Sequence, residues 1–182
     1  TGTIDGNTIS GFAYSPASVG ATSILLFDAD GVIVTNNIIT GAPGNGDYGI
    51  YLIDSDNATV DGNSLDGVDY GVVLYGEFNN APDISGNTFG QSTPNEGNVG
   101  FYPTSPAAVT FTGTDGDDEL YGNAGNDNLT GGGGNDYIDG DGGTDTAHFT
   151  ETLAPEDFSF AAGKWTVATG GAEGTDTLVN IE

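Results

Sequence analysis

One nine-residue unit is written four times without a gap between Gly113 and His148: GTDGDDELY, GNAGNDNLT, GGGGNDYID and GDGGTDTAH. Glycine holds positions 1 and 4 of every copy, aspartate holds position 6, and position 8 is Leu, Leu, Ile and Ala in turn. Because glycine adopts positive φ without a steric cost, positions 1 and 4 predict a tight turn. Position 8 predicts a short strand with its apolar side chain pointing inward.

Stacked turns of this kind would bring backbone carbonyl oxygens and the position-6 carboxylates to common points between layers. Oxygen ligands at that density suit Ca²⁺, which takes roughly 6–8 of them. We therefore predict calcium as the bound ion. The predicted ligands are carboxylate and amide side chains, with the backbone of both glycine positions: Asp115, Asp117, Asp118, Asn126, Asp127, Asn135, Asp136 and Asp145, with Gly113, Gly116, Gly122, Gly125, Gly131, Gly134, Gly140 and Gly143.

Two other interpretations of the repeats stay open. A Gly- and Asp-rich run is typical of flexible linkers, although the strict spacing and the inward Leu and Ile positions argue against one here. A second possibility is that the repeats fold only when calcium arrives, because clustered carboxylates repel one another and ion binding then supplies folding free energy.

The unit resembles the RTX (repeats-in-toxin) nonapeptide GGxGxDxUx, in which U is a large apolar residue. The resemblance implies a calcium-loaded parallel β-roll with two nonapeptides per turn, each ion lying between one turn and the turn two repeats later. It implies best-formed sites at Asp118 and Asp127, and incomplete partners for Asp136 and Asp145. Positions 2 and 3 depart from the family pattern in several copies, which we expect to change affinity more than identity.

A looser repeat occupies the first hundred residues. Short strand patterns recur there around four unequally spaced asparagines, namely Asn7, Asn37, Asn63 and Asn87. Unequal repeats of short strands, with no helical period, are typical of the coils of a right-handed parallel β-helix. We expect the asparagines to form an internal ladder of amide hydrogen bonds that holds successive coils in register.

An acidic column is predicted where FDADG (27–31) and IDSDN (53–57) align. Asp28 and Asp30 would point outward, with Asp54 and Asp56 one strand spacing below and Glu77 near the same column. Three interpretations compete for these carboxylates: a solvated acidic face, a second calcium site, and a catalytic carboxylate set acting on glycosides.

Aromatic residues cluster at corresponding places in DYGIY and DYGVVLY, namely Tyr48, Tyr51, Tyr70, Tyr75 and Phe78. Packing between coils is their common use, and a platform for sugar rings is the alternative.

The β-helix portion is similar, in fold and in its attachment to RTX repeats, to bacterial mannuronan C5-epimerases. That family uses a tyrosine, a histidine and basic residues. Because the sole histidine, His148, lies in the repeats and the sole lysine is Lys164, we expect no catalysis.

The charge balance excludes several partners. The chain has 27 acidic residues against one Lys or Arg, a net charge of −26, and no cysteine. Such a chain does not neutralise phosphates, so nucleic acid is excluded as a partner, and no apolar run is long enough for membrane insertion. Calcium is the natural partner, and a polysaccharide is a possible second one. The RTX resemblance implies an extracellular location reached through a type I secretion channel.

The sequence predicts an all-β chain: a right-handed parallel β-helix (residues 1–105) continuing into an RTX β-roll (106–148) and a short β cap (149–182). We expect Phe158, Phe160, Trp165 and Val167 to form the core of the cap. The chain has no obvious cap before Thr1, and its last strand stops abruptly. We predict a calcium-stabilised extracellular structural module, or a self-assembling subunit of fibre or surface-layer type, of a secreted RTX protein. Exposed strand edges at both ends would let identical copies join head to tail. The alternative is a non-catalytic or carbohydrate-binding part of a polysaccharide-modifying enzyme.

Overall fold

The computed structural model describes residues 2–11, 21–41, 47–78, 82–90 and 98–182. In this part of the chain the secondary structure is nineteen β-strands and one 3-10 helix, Pro155–Asp157. The chain forms two compact units, Thr1–Gly100 and Phe101–Glu182. The all-β prediction is therefore confirmed.

The first unit is built from three ladders of parallel strands, β1-β4-β7, β2-β5-β8-β10 and β3-β6-β9. Its strands are β1 (Thr3–Asp5), β2 (Thr8–Ser10), β3 (Thr22–Phe27), β4 (Ile33–Thr35), β5 (Ile38–Thr40), β6 (Tyr48–Ile53), β7 (Thr59–Asp61), β8 (Ser64–Asp66), β9 (Tyr70–Gly76) and β10 (Thr88–Phe89). Successive coils add strands to the same ladders, which is the arrangement of a parallel β-helix.

The interior of the first unit is a stack of aliphatic side chains. Register partners from successive coils, such as Ile50 and Val72 or Ile39 and Leu65, are buried together in the core. The apolar residues at or below 1% exposure are Val34, Ile39, Ile50, Leu52, Ala58, Val60, Leu65, Val72, Leu74 and Val99. Burial of this apolar column is what holds one coil on the next.

The predicted asparagine ladder is confirmed. The main-chain nitrogens of Asn7, Asn37 and Asn63 each donate to the Oδ1 of the next asparagine, over 3.0, 2.9 and 3.0 Å. Each side-chain amide donates to the same Oδ1 over 2.9 Å. Asn37 and Asn63 are buried. The ladder therefore satisfies the buried amide groups of Asn37 and Asn63 inside the coil.

The second unit contains two ladders of parallel strands, β12-β14-β16 and β13-β15-β19. Its strands are β12 (Thr110–Thr112), β13 (Glu119–Asn123), β14 (Asn128–Thr130), β15 (Tyr137–Asp141), β16 (Thr146–His148), β17 (Phe158–Ala161), β18 (Lys164–Ala168) and β19 (Thr175–Val179), while β11 covers Val99–Pro103. Leu120 pairs with Ile138, and Leu129 lies between Phe111 and Ala147. Because the pairing of Leu120 with Ile138 skips one nonapeptide, two nonapeptides make one turn, as the RTX resemblance implied.

The hairpin of β17 and β18 is antiparallel and joins the roll through β19. The prediction that it has an aromatic core is wrong, because Phe158, Phe160 and Trp165 are 40–59% exposed and only Val167 is buried. β19 pairs with the roll strand β15, whereas β17 pairs with β18 alone among the described strands. The exposed rings of the hairpin pack on each other, and the ring centroids of Phe160 and Trp165 are 5.0 Å apart.

Candidate calcium-binding site

The position-6 aspartates form two hydrogen-bonded ladders along the roll. Asp118 N donates to Asp136 Oδ1 over 2.9 Å, and Asp127 N donates to Asp145 Oδ1 over 2.8 Å. In both ladders the carboxylate of one turn accepts from the backbone of the turn before it. The register of two nonapeptides per turn brings these four predicted ligands together in pairs.

These four carboxylates are buried side chains of the roll. Asp118, Asp127, Asp136 and Asp145 are 1–2% exposed. In the described part of the chain, the Oδ2 atoms of Asp136 and Asp145 accept no hydrogen bond. Burial, followed by the neighbouring carboxylates of Asp118 and Asp176, raises the pKa of Asp136 to about 8. A buried, unpaired carboxylate is costly, so the arrangement suits a bound cation.

The position-1 glycines leave room where oxygens converge. A Cβ on Gly113 would run into Asp118 Oδ2 and the Gly131 carbonyl oxygen, and a Cβ on Gly122 would meet Asp127 Oδ2 and the Gly140 carbonyl oxygen. Each of these glycines therefore borders a carboxylate of its own repeat and a carbonyl two repeats later. Such a cradle of hard oxygen donors fits Ca²⁺.

The expected backbone conformation of the glycines needs correction. Positive φ occurs at Gly134 and Gly143 of position 4, but not at Gly116 or Gly125, and not at position 1. It also occurs at Gly132, which is at position 2. Position 1 requires glycine because oxygens crowd its Cβ direction, and not because of its φ.

The remaining predicted ligands lie at the surface. Asp117, Asn126 and Asn135 occupy position 5, and each accepts a bond from the main-chain nitrogen of the next turn, over 2.7, 3.0 and 3.1 Å. Asp115, at position 3, is exposed. The structure thus separates an inner row of position-6 carboxylates from an outer row that pairs successive loops.

No group of three or more His, Asp or Glu side chains within the described residues is placed to hold a metal by itself. An ion in this roll would therefore depend on backbone carbonyls for most of its ligands. Where bound, calcium would supply the positive charge that the inner row lacks, held by the position-6 carboxylates and the carbonyls of the glycine loops.

The structure reveals a fifth nonapeptide, GAEGTDTLV, at residues 171–179. Positions 1, 4, 6 and 8 of this unit are Gly171, Gly174, Asp176 and Leu178. The spacing is visible in the sequence, but residues 149–170 separate this unit from the other four copies. Leu178 pairs in register with Ile138. From the sequence, this segment is predicted only as part of the β cap at residues 149–182.

The expectation that Asp136 and Asp145 face incomplete partners is wrong. Asp136 N donates to Asp176 Oδ1 over 2.9 Å, and Asp145 N donates to Glu182 Oε2 over 2.9 Å. The C-terminal segment therefore supplies a carboxylate to each ladder.

The residues of the acidic column in the first unit are joined in pairs by hydrogen bonds between coils. Asp30 Oδ1 accepts from Asp56 N over 2.9 Å, and Asp54 Oδ1 accepts from Glu77 N over 2.9 Å. Asp28 and Asp30 are exposed, as expected. Because two of these carboxylates bond the backbone of the next coil, the column joins coils to each other; its use as an ion site stays a prediction.

The clustered tyrosines pack between coils. Tyr48 stacks on Tyr70 of the next coil with ring centroids 5.6 Å apart, and it contacts Tyr51 at 5.3 Å. Tyr75 is 45% exposed, whereas Phe78 is buried. The expected packing role therefore holds for Tyr48 and Tyr70.

A parallel β-helix and a glycine and aspartate roll with an oxygen-lined cradle define a calcium-binding solenoid protein. Comparison with protein families matches residues 1–115 to the right handed beta helix region and residues 112–147 to the RTX calcium-binding nonapeptide repeat in four copies. The chain belongs to the right-handed β-helix family and carries an RTX repeat region. No curated protein and no solved structure matches the chain. The likeness to mannuronan C5-epimerases therefore stays an expectation.

Within the residues that the structure describes, no helix has the length and hydropathy needed to cross a bilayer.

Proposed function

We propose that this chain is a calcium-stabilised, non-catalytic structural module of a secreted protein. The observation that carries the proposal is the inner row of buried position-6 carboxylates, which repeats from turn to turn in the pairs Asp118 with Asp136 and Asp127 with Asp145. The RTX match supports calcium as the ion.

Calcium would couple folding to location. The chain carries a net charge of −26, so its calcium-free form meets strong repulsion among carboxylates that the fold buries. Inside a cell, where free calcium is low, such a chain stays threadable through a type I channel. Outside, calcium binds the folded form selectively and stabilises it.

We further propose that identical copies assemble head to tail. β3 lies at the end of its ladder and pairs with β6 among the described strands. Leu25 and Phe27 on this strand are 59% and 68% exposed. An edge strand with exposed apolar side chains offers both backbone hydrogen bonds and apolar area to a neighbouring copy.

Sedimentation velocity on calcium-stripped protein, repeated across a calcium titration, tests the proposal. Compaction at constant mass supports a calcium-folded module without assembly. A series of growing masses supports a self-assembling subunit. If neither mass nor shape responds at millimolar calcium, the proposed function is wrong.

A polysaccharide-binding role is the second candidate. The exposed ring of Tyr75 belongs to β9, and Tyr75 pairs in register with Ile53 of the neighbouring strand β6. The half-buried Tyr51 lies on that same strand β6. Exposed aromatic rings on a β-helix face suit stacking on sugar rings. Glycan binding that is lost in Tyr51→Ala and Tyr75→Ala would support this role, whereas equal binding by the variants would exclude these rings.

A further inference from the structure

We propose that the fifth nonapeptide, residues 171–179, completes a further calcium site with the repeat at residues 131–139. The site would use the carboxylates of Asp136 and Asp176 and the backbone carbonyls of the two glycine loops. The inference rests on the proposed function, because it requires that the roll binds calcium at all.

The first argument is that the roll continues unchanged across a break in the sequence. The segment 149–170 separates the fifth nonapeptide from the fourth. Nevertheless Tyr137 pairs with Thr177 in register, as Glu119 pairs with Tyr137 one turn earlier. The fifth nonapeptide therefore occupies the place that a contiguous repeat would have taken.

The hydrogen bonds of the loop are also the same. Asp136 N donates to Asp176 Oδ1 over 2.9 Å, and Thr177 N donates to the Asp136 carbonyl oxygen over 2.8 Å. One turn earlier, the equivalent residues make the same two hydrogen bonds. Asp118 N donates to Asp136 Oδ1 over 2.9 Å, and Tyr137 N donates to the Asp118 carbonyl oxygen over 2.9 Å. The geometry of the position-6 row thus extends through Asp176.

The second argument is an unsatisfied buried oxygen. Asp136 and Asp176 are each 2% exposed, and Asp136 Oδ2 accepts no hydrogen bond from the described residues. This oxygen lies against Gly131, where a Cβ would fill the space. Lys164, the only Lys or Arg in the chain, lies 4.9 Å above the Tyr137 ring. A bound cation would compensate the charge of the two carboxylates.

The third argument is the close approach of the two loop backbones. Gly134 N donates to the Ala172 carbonyl oxygen over 3.1 Å. Gly174 has a φ of +66°, and a Cβ there would run into the Gly134 carbonyl oxygen. Two carboxylates do not fill the roughly 6–8 oxygen positions of calcium, so carbonyls from these loops would supply further ligands.

An ion at this place would fasten the end of the chain to the roll. Segment 149–170, with the hairpin β17–β18, lies between the two halves of the site in sequence. Calcium would then close this segment as a loop, and residues 171–179 would be ordered only in the calcium-bound protein.

The test compares Asp176→Asn with two matched controls. Asn retains an oxygen acceptor for Asp136 N but removes the charge. Asp127→Asn makes the same change in the other ladder, and Glu156→Gln removes an exposed acid from the intervening segment. Calcium bound per chain is counted by equilibrium dialysis, and hydrogen exchange at residues 175–179 is followed with and without calcium.

The wild-type protein is expected to gain protection at residues 175–179 on adding calcium, a measurement that needs no variant. D176N is expected to bind one ion fewer and to lose that protection. E156Q should match the wild type, and D127N should keep the protection at 175–179. Wild-type binding of calcium with an unchanged ion count and protection in D176N would overturn this inference alone. A wild-type protein that binds no calcium would overturn the proposed function as well.

Discussion

The main-chain nitrogen of Asp136 donates a hydrogen bond to Asp176 Oδ1 over 2.9 Å, although the two residues are 40 positions apart. Within the contiguous repeats, the equivalent bond joins Asp118 and Asp136, which are 18 positions apart. The roll therefore keeps its internal spacing while the chain leaves it and returns. Under the proposal above, its capacity to bind calcium would depend on this return as well as on the four contiguous repeats.

Removal of calcium is expected to unfold residues 101–182 before residues 1–100. The inner row of position-6 carboxylates lies in the second unit. The first unit is held mainly by apolar side chains and neutral asparagines, and the buried carboxylates among its described residues are those of Asp47 and Asp69. An ion present at 100 times its dissociation constant contributes about 2.7 kcal/mol to stability. Hydrogen exchange of both units in chelator and in calcium measures the difference. Magnesium at equal concentration is the control, and equal loss of protection in both units would contradict the prediction.

The calcium-free roll is expected to lose stability as pH rises from about 4 to 8. Burial is the main cause that raises the pKa of Asp136 from 3.8 to about 8 and that of Asp176 to about 6. Between these values the unfolded chain has released protons that the folded chain still holds. The free energy of unfolding therefore falls with pH. Below pH 4 both states are protonated and the effect vanishes.

Urea denaturation in chelator at pH 5 and pH 8 checks this dependence. The difference is expected to be a few kcal/mol, because a pKa change of one corresponds to about 1.4 kcal/mol. Asp136→Asn removes the group with the larger pKa change and should reduce the dependence, leaving the smaller part that comes from Asp176. A wild-type stability that rises over this range would show that the sign is wrong.

Replacing Asn63 by Asp is expected to destabilise the first unit by at least about 2 kcal/mol. The Asn63 amide donates to the Val34 carbonyl oxygen and to Asn87 Oδ1, each over 2.9 Å. A carboxylate has no hydrogen to donate, and it would place a charge in the core of the coil. Asn7→Asp, at the exposed end of the same ladder, should cost less. Similar denaturation midpoints for both variants would argue against the ladder's role.

Gly132→Ala is expected to weaken the roll more than Gly163→Ala. Both glycines have positive φ, so both variants carry the same kind of backbone strain, about 1–2 kcal/mol. A Cβ on Gly132 would also run into the Thr114 carbonyl oxygen, whereas a Cβ on Gly163 meets nothing within 4 Å. Thermal unfolding in calcium measures both. Equal losses would mean that the close approach of loops is unimportant.

Much of the architecture could be predicted from spacing. The recurring asparagines predicted a ladder that the structure contains. The resemblance of the nonapeptides to the RTX repeat implied turns of two repeats each, and the strand register agrees. The C-terminal cap was predicted as β structure, yet its aromatic rings were assigned to a core. A pattern of aromatic residues shows which side chains share a face, but not whether another layer covers that face.

The sequence by itself determined the repeating units, because the residues of one turn and its strand are neighbours in the chain and their spacing reflects local geometry. Tertiary structure decided which units stack on which. Gly171, Gly174 and Asp176 have the spacing of a nonapeptide, but the segment 149–170 separates them from the fourth copy. Their pairing with residues 131–139 arises from hydrogen bonds and burial between turns, which can form at any sequence separation that the connecting segment spans.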